Sequence, residues 1–236
     1  MSIAFTGYTL PMMTQGQLTP LLTRRLGYGL LLVLYGIYAG FAAPQGDPDK
    51  NMFLTLAMGR GPGHNPAIWG IFQLLGIVPL LYWAVLFPDG RGQKIWAWPF
   101  ALGMMALGSF ALLPYLILRR PYPVPKSGPR TLAVRWFEGR PFAVFVVLAL
   151  AALLVVIFGE GNLADYAVWF RHSNFVHLMS VDLLLLLLLF PALLRDDMAR
   201  RGVSEEDPLG RFALAVPLLG PAWYLLRRPG EEKSRP

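Results

Sequence analysis

The sequence predicts an all-α, polytopic transmembrane helix bundle, and three observations predict it. Of 236 residues, 55% are hydrophobic and 15% charged, where an average soluble domain carries about 25% charged residues. The charges stand in short clusters, and several stretches between them approach or exceed the roughly 20 apolar residues that one helix needs to cross a bilayer. Those runs are continuous, whereas the strands of a membrane β-barrel alternate.

Residues 1–25 are mixed in polarity, contain Pro11 and Pro20, and are expected to form an N-terminal arm. No charge occurs before Arg24, whereas a cleavable signal has its positive region at the extreme N-terminus. The first apolar run, Leu26 to Ala43, is therefore expected to be a retained span. Its Gly36-Ile-Tyr-Ala-Gly40 segment has the small-xxx-small pattern that permits close helix contact, and packing within the chain is expected there. Residues 44–65 read as a loop, with Gly59-Arg-Gly-Pro-Gly-His64 a flexible turn because the Gly-Lys-Ser/Thr ending of a phosphate loop is missing.

Pro66 to Pro88 forms the second run. Pro66 suits a first helical turn, Pro79 is expected to kink the helix, and Gln73 is expected to face another helix, since an unpaired amide in lipid is costly. After the polar turn Asp89-Gly-Arg-Gly-Gln-Lys94, the 24 uncharged residues Ile95 to Leu118 read as a third span, bent by Pro114. Residues 119–140 carry Arg119, Arg120, Lys126, Arg130, Arg135 and Arg140 against Glu138. This basic loop is expected on the cytoplasmic (stromal, in a plastid) side, facing anionic lipid or a partner. Pro141 to Gly159 and Phe175 to Leu194 are the fourth and fifth spans.

The last run, Phe212 to Leu226, has 15 residues and contains Pro217, Gly220 and Pro221. If it spans, Lys and Arg divide 12 to 9 across the membrane; if it turns back, 16 to 5. The expectation is five spans plus a sixth short, Pro-broken segment, spanning or re-entrant. Residues 26–226 then form one domain and 227–236 a tail. Tyr115-Leu-Ile-Leu-Arg-Arg-Pro121 echoes Tyr224-Leu-Leu-Arg-Arg-Pro229, which reads as repeated interface chemistry rather than duplication.

The net charge of +7 does not point to nucleic acid, because the basic residues flank apolar runs as they do at membrane boundaries. Cysteine is absent, which excludes disulfides, thiolate metal sites and thiol nucleophiles. With three histidines, His64, His172 and His177, no metal site is expected.

Ionisable groups inside a membrane helix are functional candidates, and the fifth span holds His177 and Asp182. They lie about 140° apart around a helix, so a direct dyad is not expected; His177 and Ser180 are better placed as neighbours. Three readings stay open. The pair is structural, with Gln73 a partner for the acid; or His177, Ser180, Asp182 and Gln73 contact a ligand such as a pigment, quinone or lipid; or Asp182 and His177 are acid and base acting on a lipid-soluble substrate.

Gln73-Leu-Leu-Gly-Ile-Val-Pro-Leu-Leu-Tyr82, Leu86-Phe-Pro-Asp-Gly-Arg-Gly-Gln93 and Phe175-Val-His-Leu-Met-Ser-Val-Asp182 resemble an uncharacterised family of multi-pass membrane proteins of cyanobacteria and chloroplasts. The resemblance covers about residues 66–226. It implies a thylakoid or plasma membrane of a photosynthetic organism, and brings no activity. A shorter segment is similar to the plant neoxanthin-synthesis membrane protein, with His177, Asp182 and either Asp196 or Asp197 in matching places. The expected function is a non-catalytic accessory, assembly or pigment-binding protein. Chlorophyll or carotenoid would be its cofactor, and the lipid bilayer and a photosynthetic membrane complex its partners. An enzyme isomerising or tailoring a carotenoid or other isoprenoid is the alternative, and a small transporter the third.

Overall fold

Among the described residues, four helices are long and apolar enough to cross a membrane: Pro20–Ala42, Pro66–Gly90, Arg140–Glu160 and Asn174–Arg200. The computed structural model describes residues 15–46, 51–59, 65–91, 93–121 and 131–230, and among these the chain is helical with no strand. The first long helix, α1 (Gln15–Ile37), begins inside the stretch expected to be an arm and closes with a wide π-helical turn over Tyr38–Ala42. The short α2 (Met52–Ala57) packs Met52 and Leu56 against Ile68, Val176 and Met179. The second long helix, α3 (Pro66–Gly90), starts at Asn65, whose side chain accepts from the Ala67 N–H. It continues helically through Pro79, because a buried, apolar helix can tolerate the lost bond where neighbours surround it.

Ile95 to Leu118, expected as one crossing, is not one continuous helix. It is two helices, α4 (Ala97–Leu107) and α5 (Ser109–Leu118), folded against each other at Gly108. Gly108 has φ +50° and ψ −124°, a backbone region that side-chain-bearing residues rarely adopt. A side chain there would also collide with the Asp182 carboxylate. The two feet of the hairpin are tied together: Gln93 Nε2 donates to the Arg120 carbonyl at 2.6 Å, and the Arg120 N–H donates back to Gln93 Oε1 at 2.8 Å. Hydropathy alone reads such a hairpin as one span because both arms are apolar.

Beyond α6 (Leu132–Glu138), the third long helix is α7 (Arg140–Val155), which also ends in a π-helical turn, over Val156–Glu160. The amphipathic α8 (Leu163–His172) follows. The fourth long helix comprises α9 (Asn174–Leu189), begun by the Ser173 cap, and α10 (Pro191–Arg200). The last apolar run then folds back as α11 (Pro208–Ala215) and α12 (Leu219–Arg227). A Cβ at Gly220 would strike the Phe212 and Ala213 carbonyls, so glycine lets the two arms approach. The expected 227–236 tail is corrected at its first residues: Arg227 closes α12, and Arg228 is buried at 8% exposure.

The two halves of the chain repeat one order. A long helix ends in a π turn, a short helix follows, a second long helix returns, and a fold-back hairpin comes last. In each half the second arm of the hairpin packs on that half's own first long helix, α5 on α1 and α12 on α7. The residue offset is nearly constant: Asp89 to Asp197 is 108, Gly108 to Leu218 is 110, and Arg119 to Arg228 is 109. The tyrosine–arginine echo is thus part of a repeat in architecture as well as in chemistry.

This order leaves one end of the bundle strongly basic. Among the described residues, the first half of α1, the α3–α4 connection, the stretches around Arg119 and Arg140, α10–α11 and the end of α12 hold 14 of the 15 Lys and Arg; Arg171 is at the other end. Neither division expected from the sequence is as uneven, because each counted 95–118 as a crossing.

Candidate functional site

Two polar centres are built into this bundle. The first is an ion-pair cluster at the basic end. Asp89, 1% exposed at the foot of α3, accepts from the Tyr115 hydroxyl at 2.6 Å, from Arg119 at 2.7 Å and from Arg200 at 3.3 Å. Asp197, fully buried on α10, accepts from Arg201 and the Tyr224 hydroxyl at 2.9 Å each, and from Arg200 and Arg228 at 3.3 Å. Arg119 extends to Asp196 at 2.6 Å, and Arg201 to Glu138 at 2.6 Å. Four guanidinium groups therefore face four carboxylates, which suits their burial, since buried charges must be paired.

The echo explains itself here. In both copies a helical Tyr and the Arg four residues on lie on one face, and together they close on a buried aspartate at the foot of the half's second long helix. Burial works against the Arg201 charge, but Asp197 and Glu138 hold its pKa above the ordinary guanidinium value. Burial holds Arg228 below that value, although Asp197 pulls it up.

The second centre surrounds Asp182. One carboxylate oxygen accepts from both the N–H of Ser109, at 2.9 Å, and its hydroxyl, at 2.5 Å. The Tyr35 hydroxyl of α1 is a further partner. Ser109 is the first residue of α5, so Asp182 caps a helix that starts inside the bundle. Such a start exposes unsatisfied N–H groups and the positive end of the helix dipole, and both favour a carboxylate.

Beside this centre is a cavity of about 790 Å³ whose walls come from α1, α3, the tip of the α4–α5 hairpin, α7 and α9. Its lining is apolar and aromatic, with Phe72, Met104, Phe110 and Phe175 prominent, and Asp182, Gln73, Asn174 and Tyr35 as the polar groups. Gln73 thus shares the cavity wall with Asp182 rather than pairing with it. The partners of the acid come from α5 and α1.

The other candidates from the sequence are placed apart from Asp182. His177 has both ring nitrogens engaged, Nε2 with the Tyr38 hydroxyl and Nδ1 with the Phe170 carbonyl at 2.8 Å. Ser180 donates to the Val176 carbonyl at 2.6 Å and accepts from Tyr166 at 2.8 Å. His177 and Ser180 therefore do not serve each other. In the basic loop, Arg119 is corrected from a lipid- or partner-facing residue to a buried member of the ion cluster. Arg120, Arg135 and Arg140 are exposed, and Lys126 and Arg130 lie outside the described residues. Gly36 and Gly40 have open space where close packing within the chain was expected.

Sequence reasoning missed Asp89, Tyr115, Arg200, Arg201, Tyr224 and Arg228 as a cluster, and Ser109 and Tyr35 as partners of Asp182. The tyrosine–arginine echo carried the signal for the cluster. A second joint lies at the far end: Asn65 donates to the Asn162 carbonyl at 2.9 Å and to Asp165 at 2.7 Å, tying the start of α3 to that of α8. Comparison with protein-family models, with curated proteins and with solved structures found no match.

Proposed function

We propose that this chain is a non-catalytic integral membrane protein that holds a lipid-soluble ligand in the cavity beside Asp182. In this reading four helices span, and the α4–α5 and α11–α12 hairpins are re-entrant. The basic end, with the 119–140 loop, faces the cytoplasm or stroma by the positive-inside rule. The resemblance to proteins of cyanobacteria and chloroplasts makes a thylakoid or plasma membrane the setting and a photosynthetic complex the partner.

The observation that carries the reading is a large apolar cavity with one anchoring acid, the usual composition of a small-molecule site. Asp182 accepts hydrogen bonds here, so the complementary ligand group is a hydrogen-bond donor, and the donor an isoprenoid carries is a hydroxyl. That favours a hydroxylated isoprenoid, such as a carotenoid, over a chlorophyll held by His177, whose nitrogens are both engaged. The isomerase reading lacks a base near Asp182 for the same reason. Transport of an anion, in which a half-helix N-terminus holds the substrate, meets an N-terminus already filled by Asp182.

The test is the absorption spectrum and extracted lipid content of protein purified in mild detergent. Gly76 lines the cavity and a Cβ added there meets no neighbour, so Gly76→Phe starts a ring in open space and narrows the site. The expected result is an isoprenoid that co-purifies with the wild type, is lost from Gly76→Phe, is reduced in Asp182→Asn and is retained in His177→Ala. Retention in Gly76→Phe, or a wild type without bound isoprenoid, overturns the reading.

A further inference from the structure

At the basic end, a separate crevice of about 410 Å³ lies between the start of α1 and α10, with the end of α5 as its floor. Arg24, Arg25, Arg119 and Arg195 line its polar part together with Asp196 and Glu205, and Tyr28, Leu188 and Leu189 its apolar part. We propose that this crevice binds one anionic phospholipid, with its phosphate between Arg24 and Arg25 and an acyl chain running along Tyr28 and Leu188.

The charge pattern carries the assignment. The other arginines of the crevice have their anions: Arg119 holds Asp89 and Asp196, and Arg195 holds Glu205 at 3.3 Å. Arg24 and Arg25 have no carboxylate partner among the described residues. Arg25 is half-buried, yet its one hydrogen bond is a 3.4 Å contact to the Leu118 carbonyl, and its Nε is buried without a partner. A guanidinium has five N–H donors in a fork that fits phosphate, so most of this one is left for a ligand.

The shape agrees. The crevice joins the basic end to lipid-facing surface, because Leu188 is 62% exposed and α1 carries exposed Leu22, Leu26 and Leu30. The chain itself offers few alternatives for the anion. Residues 1–23 contain no charge, and 122–130 contain only basic charges. The crevice's own acids are already paired, Asp196 with Arg119 and Glu205 with Arg195, and Glu231 and Glu232, which follow Arg228 in sequence, are included in the test.

The protein, purified and delipidated in mild detergent, is supplied with equal phosphatidylglycerol and phosphatidylcholine, and bound lipid is counted by native mass spectrometry. The expected result is one retained phosphatidylglycerol per chain. Two basic residues near a membrane surface are together worth roughly thirty-fold in binding, so Arg24→Gln/Arg25→Gln should lose that lipid by about this factor while its thermal unfolding stays at the wild-type temperature. Arg135→Gln/Arg140→Gln, which removes two exposed charges elsewhere at the same end, should keep it. Glu231→Gln/Glu232→Gln should keep it or bind it more tightly. Equal retention of both lipids, or retention in Arg24→Gln/Arg25→Gln, overturns the proposal. So does an equal loss in Arg135→Gln/Arg140→Gln, or displacement of the lipid by inorganic phosphate alone at millimolar concentration.

Discussion

Replacing Asp197 with asparagine tests the ion cluster where it is most concentrated. The carboxylate has no exposed surface and faces three guanidinium groups and one hydroxyl. The amide keeps the shape and one acceptor oxygen but loses the charge, leaving buried Arg228 without its carboxylate, while Arg200 keeps Asp89 and Arg201 keeps Glu138. Removing one partner of a buried ion pair costs about 3–5 kcal/mol, a large share of the roughly 5–15 kcal/mol that holds a typical domain folded. Two comparisons fall below that figure. Tyr224→Phe deletes one 2.9 Å hydrogen bond to the same carboxylate, worth about 1.5–3 kcal/mol for a charged acceptor. Arg195→Gln breaks a pair whose side chains are 54% and 55% exposed, worth under about 1 kcal/mol. Thermal unfolding in one detergent, followed by loss of the monodisperse species, should rank the variants in that order. Adding Arg228→Met to Asp197→Asn should recover part of the loss, because it removes a stranded charge. An Asp197→Asn variant as stable as Arg195→Gln, or a double variant less stable than either single one, refutes the reasoning.

The repeat predicts parity: Tyr115→Phe should destabilise by the same amount as Tyr224→Phe, to within about 1 kcal/mol, since each removes one hydroxyl from a buried aspartate, and thermal unfolding of the two variants compares them. Gly108→Ala should cost more than the roughly 1 kcal/mol of an average point substitution, because it combines a positive-φ backbone with a collision at Asp182; an unfolding temperature unchanged from wild type would contradict this. The chain has no native cysteine, so single cysteines report sidedness without background. Lys94→Cys and Arg120→Cys, at the two feet of the first hairpin, should react with an impermeant maleimide from the same side of sealed vesicles, and Arg171→Cys from the opposite side. Labelling of Lys94→Cys and Arg120→Cys from opposite sides would restore the continuous third span.

Much of the fold is legible in the amino-acid order because helix length and apolarity are local properties. The long runs, the Pro66 start of α3 and the break near Pro217 all follow from them. The first hairpin is not legible in that way. Ile95 to Leu118 has the composition of a crossing, and what folds it is a backbone conformation at Gly108 together with a carboxylate 73 positions away in sequence. The ion cluster was hidden for a related reason. Arg119 and Asp197 look like ordinary charges at helix ends, and only the distant contact between those ends makes them a buried core. Helical angles alone did separate His177 from Asp182 correctly: the first meets Tyr38 and Phe170, the second Ser109 and Tyr35.

The place where the repeat fails bears most directly on function. Both hairpins face the same difficulty, since a helix beginning inside an apolar bundle leaves N–H groups without partners. The second tip resolves it locally: the Leu219 N–H donates to the Pro217 carbonyl at 2.8 Å and the Gly220 N–H to the Val216 carbonyl at 2.8 Å. The first tip instead takes its acceptor from the other half of the chain, at Asp182. By the offset of 108 that relates Asp89 on α3 to Asp197 on the same long helix as Asp182, the position matching Asp182 is Leu74, a core residue at 5% exposure. A turn like that at Val216–Leu218 would therefore have sufficed for folding. The hydrophobic groove of about 620 Å³ beside the second hairpin has no ionisable group in its lining. The acid is present only beside the larger cavity, where one half departs from a solution the other half shows to be sufficient. Departures from such internal consistency concentrate at functional sites, which supports the proposal that Asp182 and its cavity, rather than the larger ion cluster, form the ligand site.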